Sequence, residues 1–149
     1  MAITDRIRDD GPRPQPLIHP DTAPFWAGLE AGELRVQRCT ACGTHRFPFE
    51  PICHACLSFD LTWEPIAPSG TVATAVRAVR ATGDPAWAAH VPFISGSVDM
   101  EHDLRLPGRI LCTCGEALRR GTSVRVVLLV SPDRPTIHAF AHNCVPAAG

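Results

Sequence analysis

Seven cysteines carry most of the chemistry this chain has to offer, and four of them stand in a pattern. Cys39-Thr-Ala-Cys42-Gly43 is separated by ten residues from Cys53-His-Ala-Cys56. A tetrahedral Zn²⁺ takes four ligands, with thiolate sulfur about 2.3 Å from the metal. Two residues between cysteines let one tight turn aim both sulfurs at a single ion. Gly43 stands where the backbone of such a turn needs a positive φ. The spacer GTHRFPFEPI can run out and back as a short hairpin. The pattern therefore predicts a zinc ribbon with one structural Zn²⁺ per chain, held by Cys39, Cys42, Cys53 and Cys56. Iron in a rubredoxin-like centre would use the same four thiolates. Two disulfides are disfavoured, because no secretory signal points to an oxidising compartment. Four thiolates leave no open coordination position, so the site should hold structure and not hydrolyse substrate.

The remaining candidates are weaker. Cys112-x-Cys114 and His138-x-x-x-His142-x-Cys144 could suggest a second metal, since alternate residues of a strand share a face. Phe140 lies between the two histidines, however, and no sequence signal joins the two clusters. Buried thiols and exposed histidines are the favoured reading there. Ser95 and Ser97 flank a glycine, but a nucleophile elbow needs a strand-to-helix turn, and no helix follows. No base is placed beside a free cysteine. The chain reads as having no catalytic residues of its own.

The elements that must position these residues follow in order. Residues 1–20 carry five prolines or glycines among charges, and predict a mobile or surface-draped arm. Asp21 or Thr22 can cap a short helix, with Pro24 in its first turn, Phe25, Trp26 and Leu29 on its apolar face and Gly32 as its stop. Leu34–Arg38 alternates and leads into the first cysteine pair. Pro65, Pro68 and Gly70 mark a linker. Five short strands follow, at about 70–79, 92–98, 104–112, 122–130 and 137–142, with a long loop at 80–91. Gly96 marks a bulge or a close backbone approach. Five such strands suit a small closed barrel, most simply an OB-fold. The fold class is thus mostly β with one short N-terminal helix. The expected division is an arm at 1–20, helix and ribbon at 21–66, and barrel at 67–149.

Charge narrows the partners. Residues 1–70 hold 6 Arg and 9 acids, a net of −3, while residues 71–149 hold 8 Arg and 6 acids, a net of +2. That is no footprint for non-specific nucleic-acid binding, although Arg38, His45 and Arg46 could screen a thiolate-bound metal. No apolar run approaches the roughly 18 residues of a membrane span. The N-terminal stretch has no apolar signal region, and the reading is cytoplasmic.

The order Phe25-Trp26-x-Gly28-Leu29, Gly32-Glu33-Leu34, Cys39-x-x-Cys42-Gly43, Pro51, Cys53-x-x-Cys56, Trp63, Gly70-Thr-Val72 and Pro92-Phe93 resembles the family called domain of unknown function 35. The resemblance runs from about residue 19 to about residue 142. It implies an N-terminal helix, a rubredoxin-like zinc ribbon and a C-terminal OB barrel. It further implies a non-catalytic accessory subunit of a thiolase-like acyl-CoA enzyme (a thiolase, acyltransferase or aldolase), helping to form its acyl-CoA channel. One stretch departs from the family pattern: Val98-Asp-Met-Glu-His-Asp103 replaces the usual acidic turn. The rival reading is an OB-type binder of single-stranded nucleic acid. It would need aromatic platforms on a basic groove, and Phe93 and Phe140 are the only aromatics on the barrel strands. A redox protein using its Cys-x-x-Cys pairs is a third.

Two surfaces are expected from these readings. Phe47 and Phe49 crowd a hairpin too small to bury them, beside Phe25, Trp26 and Leu29. The helix, through Phe25, Trp26 and Leu29, could cover that face; where it does not, these five residues are expected to contact a partner enzyme or a second copy of the chain. Arg77 and Arg80, beside the Trp87 loop, are expected at the acyl-CoA entrance, since Arg pairs phosphate bidentately.

Overall fold

The computed structural model describes residues 1–81 and 83–148; Thr82, within the expected 80–91 loop, and Gly149 lie outside the described residues. A 3₁₀ turn at Pro20–Thr22 leads into helix α1, Ala23–Ala31, which stops at Gly32 with φ 81°. The Thr22 side chain makes no capping bond; its hydroxyl accepts the Trp26 indole N–H at 3.2 Å and donates to the His19 carbonyl at 2.9 Å. The helix buries Phe25 and Leu29 and leaves Glu30 in solvent, so packing and not propensity holds its nine residues.

The ribbon is a three-stranded antiparallel sheet. Strand β2, Leu34–Cys39, lies between β3, His45–Arg46, and β4, Leu61–Ile66. Its β2–β4 register runs from Leu34 opposite Ile66 to Cys39 opposite Leu61. Leu34, Val36 and Ile66 turn inward with no exposed surface.

The barrel is built from β5 (Ser69–Ala78), β6 (Phe93–Asp99), β7 (Arg105–Leu111), β8 (Ser123–Ser131) and β9 (Arg134–His142). Strands β5, β6 and β7 are antiparallel neighbours, β7 pairs in parallel with β9, and β9 and β5 both pair antiparallel with β8. Five strands therefore close on themselves, and closure removes the open edges that invite aggregation. This is the expected OB architecture. Gly96 sits where a Cβ would lie 2.1 Å from the Thr74 carbonyl oxygen, the close approach its position implied.

The N-terminal residues do not form a loose arm. Strand β1, Arg6–Arg8, pairs in parallel with β8, Arg6 opposite Leu128 and Arg8 opposite Val130. The cause is in β8 itself: Val124, Val126 and Leu128 fill the barrel, while Val127 and Leu129 point outward and are equally buried. A strand apolar on both faces needs cover on both. Ile7 supplies part of that cover, together with Leu111, Ile137 and Val145. Further along, buried Arg13 donates to the Asp9 carboxylate and the Pro135 carbonyl, both at 3.0 Å.

Helix, ribbon and barrel share one apolar core, running from Phe25 and Leu29 through Leu34, Val36 and Ile66 to Val72, Val98, Leu106 and Phe140.

Candidate metal centre and cavity

Two turns of the same build create the ribbon site. In the first, the Gly43 N–H reaches the Cys39 carbonyl and the Cys39 N–H reaches the Thr44 carbonyl, both at 2.9 Å. In the second, the Leu57 N–H reaches the Cys53 carbonyl at 2.8 Å and the Cys53 N–H reaches the Ser58 carbonyl at 2.9 Å. Each turn needs a left-handed residue four positions after its first cysteine. Gly43 supplies it at φ 79°, but the equivalent residue is Leu57 at φ 63°, a conformation that costs an L-residue about 1–2 kcal/mol.

The turns bring all four sulfurs within 4.8 Å of one another, with Cys39 to Cys56 at 3.5 Å and Cys42 to Cys53 at 3.6 Å. Cys39 and Cys53 are buried, Cys42 and Cys56 exposed. The Thr44 hydroxyl and N–H hold the Cys42 thiol down at about 6. The Ser58 N–H favours the Cys56 thiolate, but proton sharing with Cys42 and Cys39 outweighs it and pushes that thiol up to about 12. Sulfurs this close hold protons between them until a cation replaces those protons, so the donor set fits a tetrahedral metal.

The basic residues that could have screened the sulfurs make other contacts. Arg38 and His45 both turn to Glu64, at 3.1 and 3.3 Å. Arg46 is buried and spans the spacer, donating to Gln37 Oε1 at 3.0 Å, the Glu50 carbonyl at 2.7 Å and the Ile52 carbonyl. The loop that departs from the family pattern joins ribbon to barrel: His102 stacks on His45, ring centroids 3.8 Å apart, and Glu101 accepts the Ala67 N–H at 2.6 Å.

The expected docking face is largely internal. Phe25 is 2% and Leu29 0% exposed, so neither can meet a partner. The Phe25 ring lies 5.1 Å from Trp26, 5.1 Å from Phe49 and 5.8 Å from His138 of the barrel. Trp26, Phe47 and Phe49 are half-buried against the same core. The helix covers the spacer aromatics because they and it are the two halves of one contact. On the ribbon, the large apolar side chains left in solvent are Ile52, Leu57 and Phe59.

A cavity of about 500 Å³ opens on the barrel, lined among others by Arg77, Phe93, Ile94, Arg109 and Leu111. Arg77 is where the sequence placed it. Trp87 stacks on Phe93 at 5.1 Å, while Arg80 is exposed and outside the lining. Sequence reasoning missed Arg109, whose guanidinium lies 5.8 Å over the Phe93 ring and whose Nε has no hydrogen-bond partner among the described residues. Burial lowers its pKa.

A second cysteine cluster forms where the sequence favoured separate buried thiols and exposed histidines. Cys112, Cys114, His142 and Cys144 converge with their ligand atoms within 4.8 Å of one another. His138 is not among them; its Nε2 lies 2.8 Å from the Pro107 carbonyl, and burial lowers its pKa.

With this geometry in hand, two families of known proteins match. Residues 26–62 match the family described as ChsH2, rubredoxin-like zinc ribbon domain, and residues 63–129 the one described as ChsH2, C-terminal OB-fold domain. The chain carries, in order, the zinc-ribbon and OB-fold domains of the ChsH2 family, which together span residues 26–129. A solved structure described as Ltp2-ChsH2(DUF35) aldolase contains a chain 26% identical, with a TM-score of 0.75, the match covering 86% of this chain and 98% of that one. A DUF35 protein of unknown function from Sulfolobus solfataricus, 13% identical with a TM-score of 0.55 over 83% of this chain and 86% of that one, shares the fold. A curated relative from Thermomonospora curvata, called probable enoyl-CoA hydratase alpha subunit, is 28% identical over 128 residues, 86% of this chain. The ChsH2-type chain spans only 39% of that relative's length. Among the described residues, no helix is long and apolar enough to cross a membrane.

Proposed function

We propose that this chain is a non-catalytic accessory subunit of a thiolase-like acyl-CoA enzyme, such as an aldolase. The observation that carries the reading is the likeness, over nearly its whole length, to the ChsH2 chain of the Ltp2-ChsH2 aldolase. The ribbon holds Zn²⁺ through Cys39, Cys42, Cys53 and Cys56, and the metal's contribution is structural, since four thiolates complete its coordination. Its binding free energy is folding free energy for a sheet with few apolar residues of its own.

The partner docks on the second cysteine turn. Ile52, Leu57 and Phe59 are 38%, 72% and 71% exposed. Leu57 keeps a large apolar side chain at a left-handed position where glycine would be less strained. That choice is unfavourable for an isolated chain and reasonable for one whose Leu57 is covered by another protein. An acyl-CoA lies along the barrel cavity, with Arg77 and Arg109 toward its phosphates and Phe93, Ile94 and Leu111 toward its apolar portion. The barrel is a poor platform for single-stranded nucleic acid. Phe140 has no exposed surface, and Phe93 is already stacked by Trp87 and Arg109.

The test is reconstitution. A tagged copy of the chain captures its partner from the native host, and acyl-CoA turnover is assayed with and without it. The expected result is a thiolase-fold enzyme held in a fixed ratio, whose activity rises with the subunit present, while the chain alone turns over nothing. Arg77→Ala with Arg109→Ala should weaken CoA-ester binding by the complex about tenfold and leave assembly intact. Turnover by the isolated chain that vanishes with one Ser, Cys or His substitution would overturn the reading.

A further inference from the structure

We propose that Cys112, Cys114, His142 and Cys144 form a second structural zinc site, at the end of the barrel and separate from the ribbon.

The strand pairing makes the site. β7 and β9 run in parallel with Ile110 opposite Phe140 and Leu111 opposite Ala141. The next residue on each strand is Cys112 and His142, so the pairing delivers a thiol and an imidazole side by side. Both chains then turn, and each turn returns a second thiol: Cys114 toward Cys112 and Cys144 toward His142. Two ligands from each of two strand ends is the arrangement the ribbon achieves with its two turns.

The distances fit one ion. A tetrahedral zinc with sulfur at about 2.3 Å and nitrogen at about 2.0 Å requires ligand atoms about 3.5–3.8 Å apart. Here Cys112 Sγ lies 3.3 Å from Cys114 Sγ, 3.6 Å from Cys144 Sγ and 3.9 Å from His142 Nδ1. His142 Nδ1 lies 3.7 Å from Cys114 Sγ and 3.1 Å from Cys144 Sγ. These separations bracket the 3.5 and 3.6 Å of the ribbon sulfurs. Pairing any two of the three cysteines as a disulfide would leave a thiol and an imidazole facing it without a role. Three thiolates and an imidazole are a soft-to-borderline donor set that suits zinc, and they complete its coordination.

The cluster is held independently of any ion. The Thr113 N–H donates to Cys144 Sγ at 3.2 Å, and the Thr113 hydroxyl donates to the Cys144 carbonyl at 3.1 Å. The Val145 N–H closes the turn onto the His142 carbonyl at 2.9 Å. From below, Arg125 donates to the Val145 carbonyl at 2.8 Å while pairing with buried Asp5 at 2.5 Å. An N–H aimed at a ligand sulfur and an anchored turn are what orient ligands in a metal site. The ion would fasten the segment after β9 to the end of β7. Cys112, Thr113 and Val145 line the barrel cavity, so the fastening would also fix one of its walls.

The experiment is elemental analysis of the full chain, purified under reductant after growth with added zinc. Two metal ions per chain are expected, falling to one in a Cys112→Ser/Cys144→Ser variant. In the metal-loaded wild type, Cys114 should resist alkylation despite its exposure, and it should label fully after chelation. The alkylation pattern needs no variant, so a variant that fails to fold does not spoil the test. A single metal ion per chain in the wild type would overturn the proposal. So would free alkylation of Cys112, Cys114 and Cys144 in the loaded protein, or a disulfide between any two of them under reductant.

Discussion

The ribbon and the barrel solve the same problem by opposite means. The barrel closes five strands around Val72, Val98, Leu106, Val126, Leu128 and Phe140, and its edges disappear into its own pairing. The ribbon has three strands, one of only two residues, and two Cys-x-x-Cys turns whose donor atoms meet in a volume one ion would fill. What the barrel obtains from apolar contact, the ribbon would obtain from the ligation proposed above. The barrel should therefore survive insults that destroy the ribbon, and the reverse should fail, because the ribbon leans on the shared core through Phe25, Leu34 and Ile66.

The largest effect expected is at Cys39. Replacing it with Ser would break the proposed four-thiolate zinc site, and structural zinc contributes on the order of 10 kcal/mol to small zinc folds. Hydrogen exchange should show β2–β4 unprotected with the barrel strands still slow. A ribbon equally protected in this variant would erase the contrast. Phe140→Ala comes next, at about 3–5 kcal/mol for an aromatic with no exposed surface. Its cost should appear in barrel and ribbon together, read as one denaturation transition at lower denaturant; two separated transitions would show that the ribbon stands alone.

A smaller effect belongs to His138. Burial depresses its folded pKa below the unfolded value of about 6.5. The unfolded chain then binds more protons below that value, so wild-type stability should fall as pH drops through about 6.5. His138→Gln should flatten that part of the profile, measured by chemical denaturation at a series of pH values; an identical slope would show that the imidazole is not held neutral. The smallest effect is at Leu57. Glycine there relieves left-handed strain but adds freedom to the unfolded chain, a net gain on the order of 0.5 kcal/mol. The same change should weaken capture of the partner enzyme. A variant that is more stable and binds equally well would remove Leu57 from the docking surface.

These contrasts also explain what could be read from the chain alone. The ribbon's four cysteines are local, with both turns written in consecutive residues. The strands were legible because inward and outward residues alternate. The second cluster was not, because Cys112 and His142 are thirty residues apart and meet only through a parallel pairing that no local pattern announces. That the helix covers the spacer aromatics was one of two readings the sequence left open, for a related reason. Phe25 and Leu29 look like a spare apolar face until Phe49 and His138 are known to lie across from them. The N-terminal strand hides because Arg6-Ile7-Arg8 is too short to alternate visibly. The trace was in β8 instead, where the run Val126–Val130 is apolar without interruption.

The strand order also sets a timetable. During synthesis the ribbon's last strand, ending at Ile66, leaves the ribosome long before His142, the end of the strand that closes the barrel. At about 5–20 residues per second, the 76 residues between them (142 − 66) take on the order of 4–15 s. For that interval the nascent chain has both ribbon turns available to zinc while β5, β6 and β7 present an unclosed edge. The N-terminal strand waits as well, since its partner β8 is among the last to emerge. The ribbon turns are thus complete first, but the core they lean on closes only when β8 and β9 arrive, because Phe25 packs against His138 of β9.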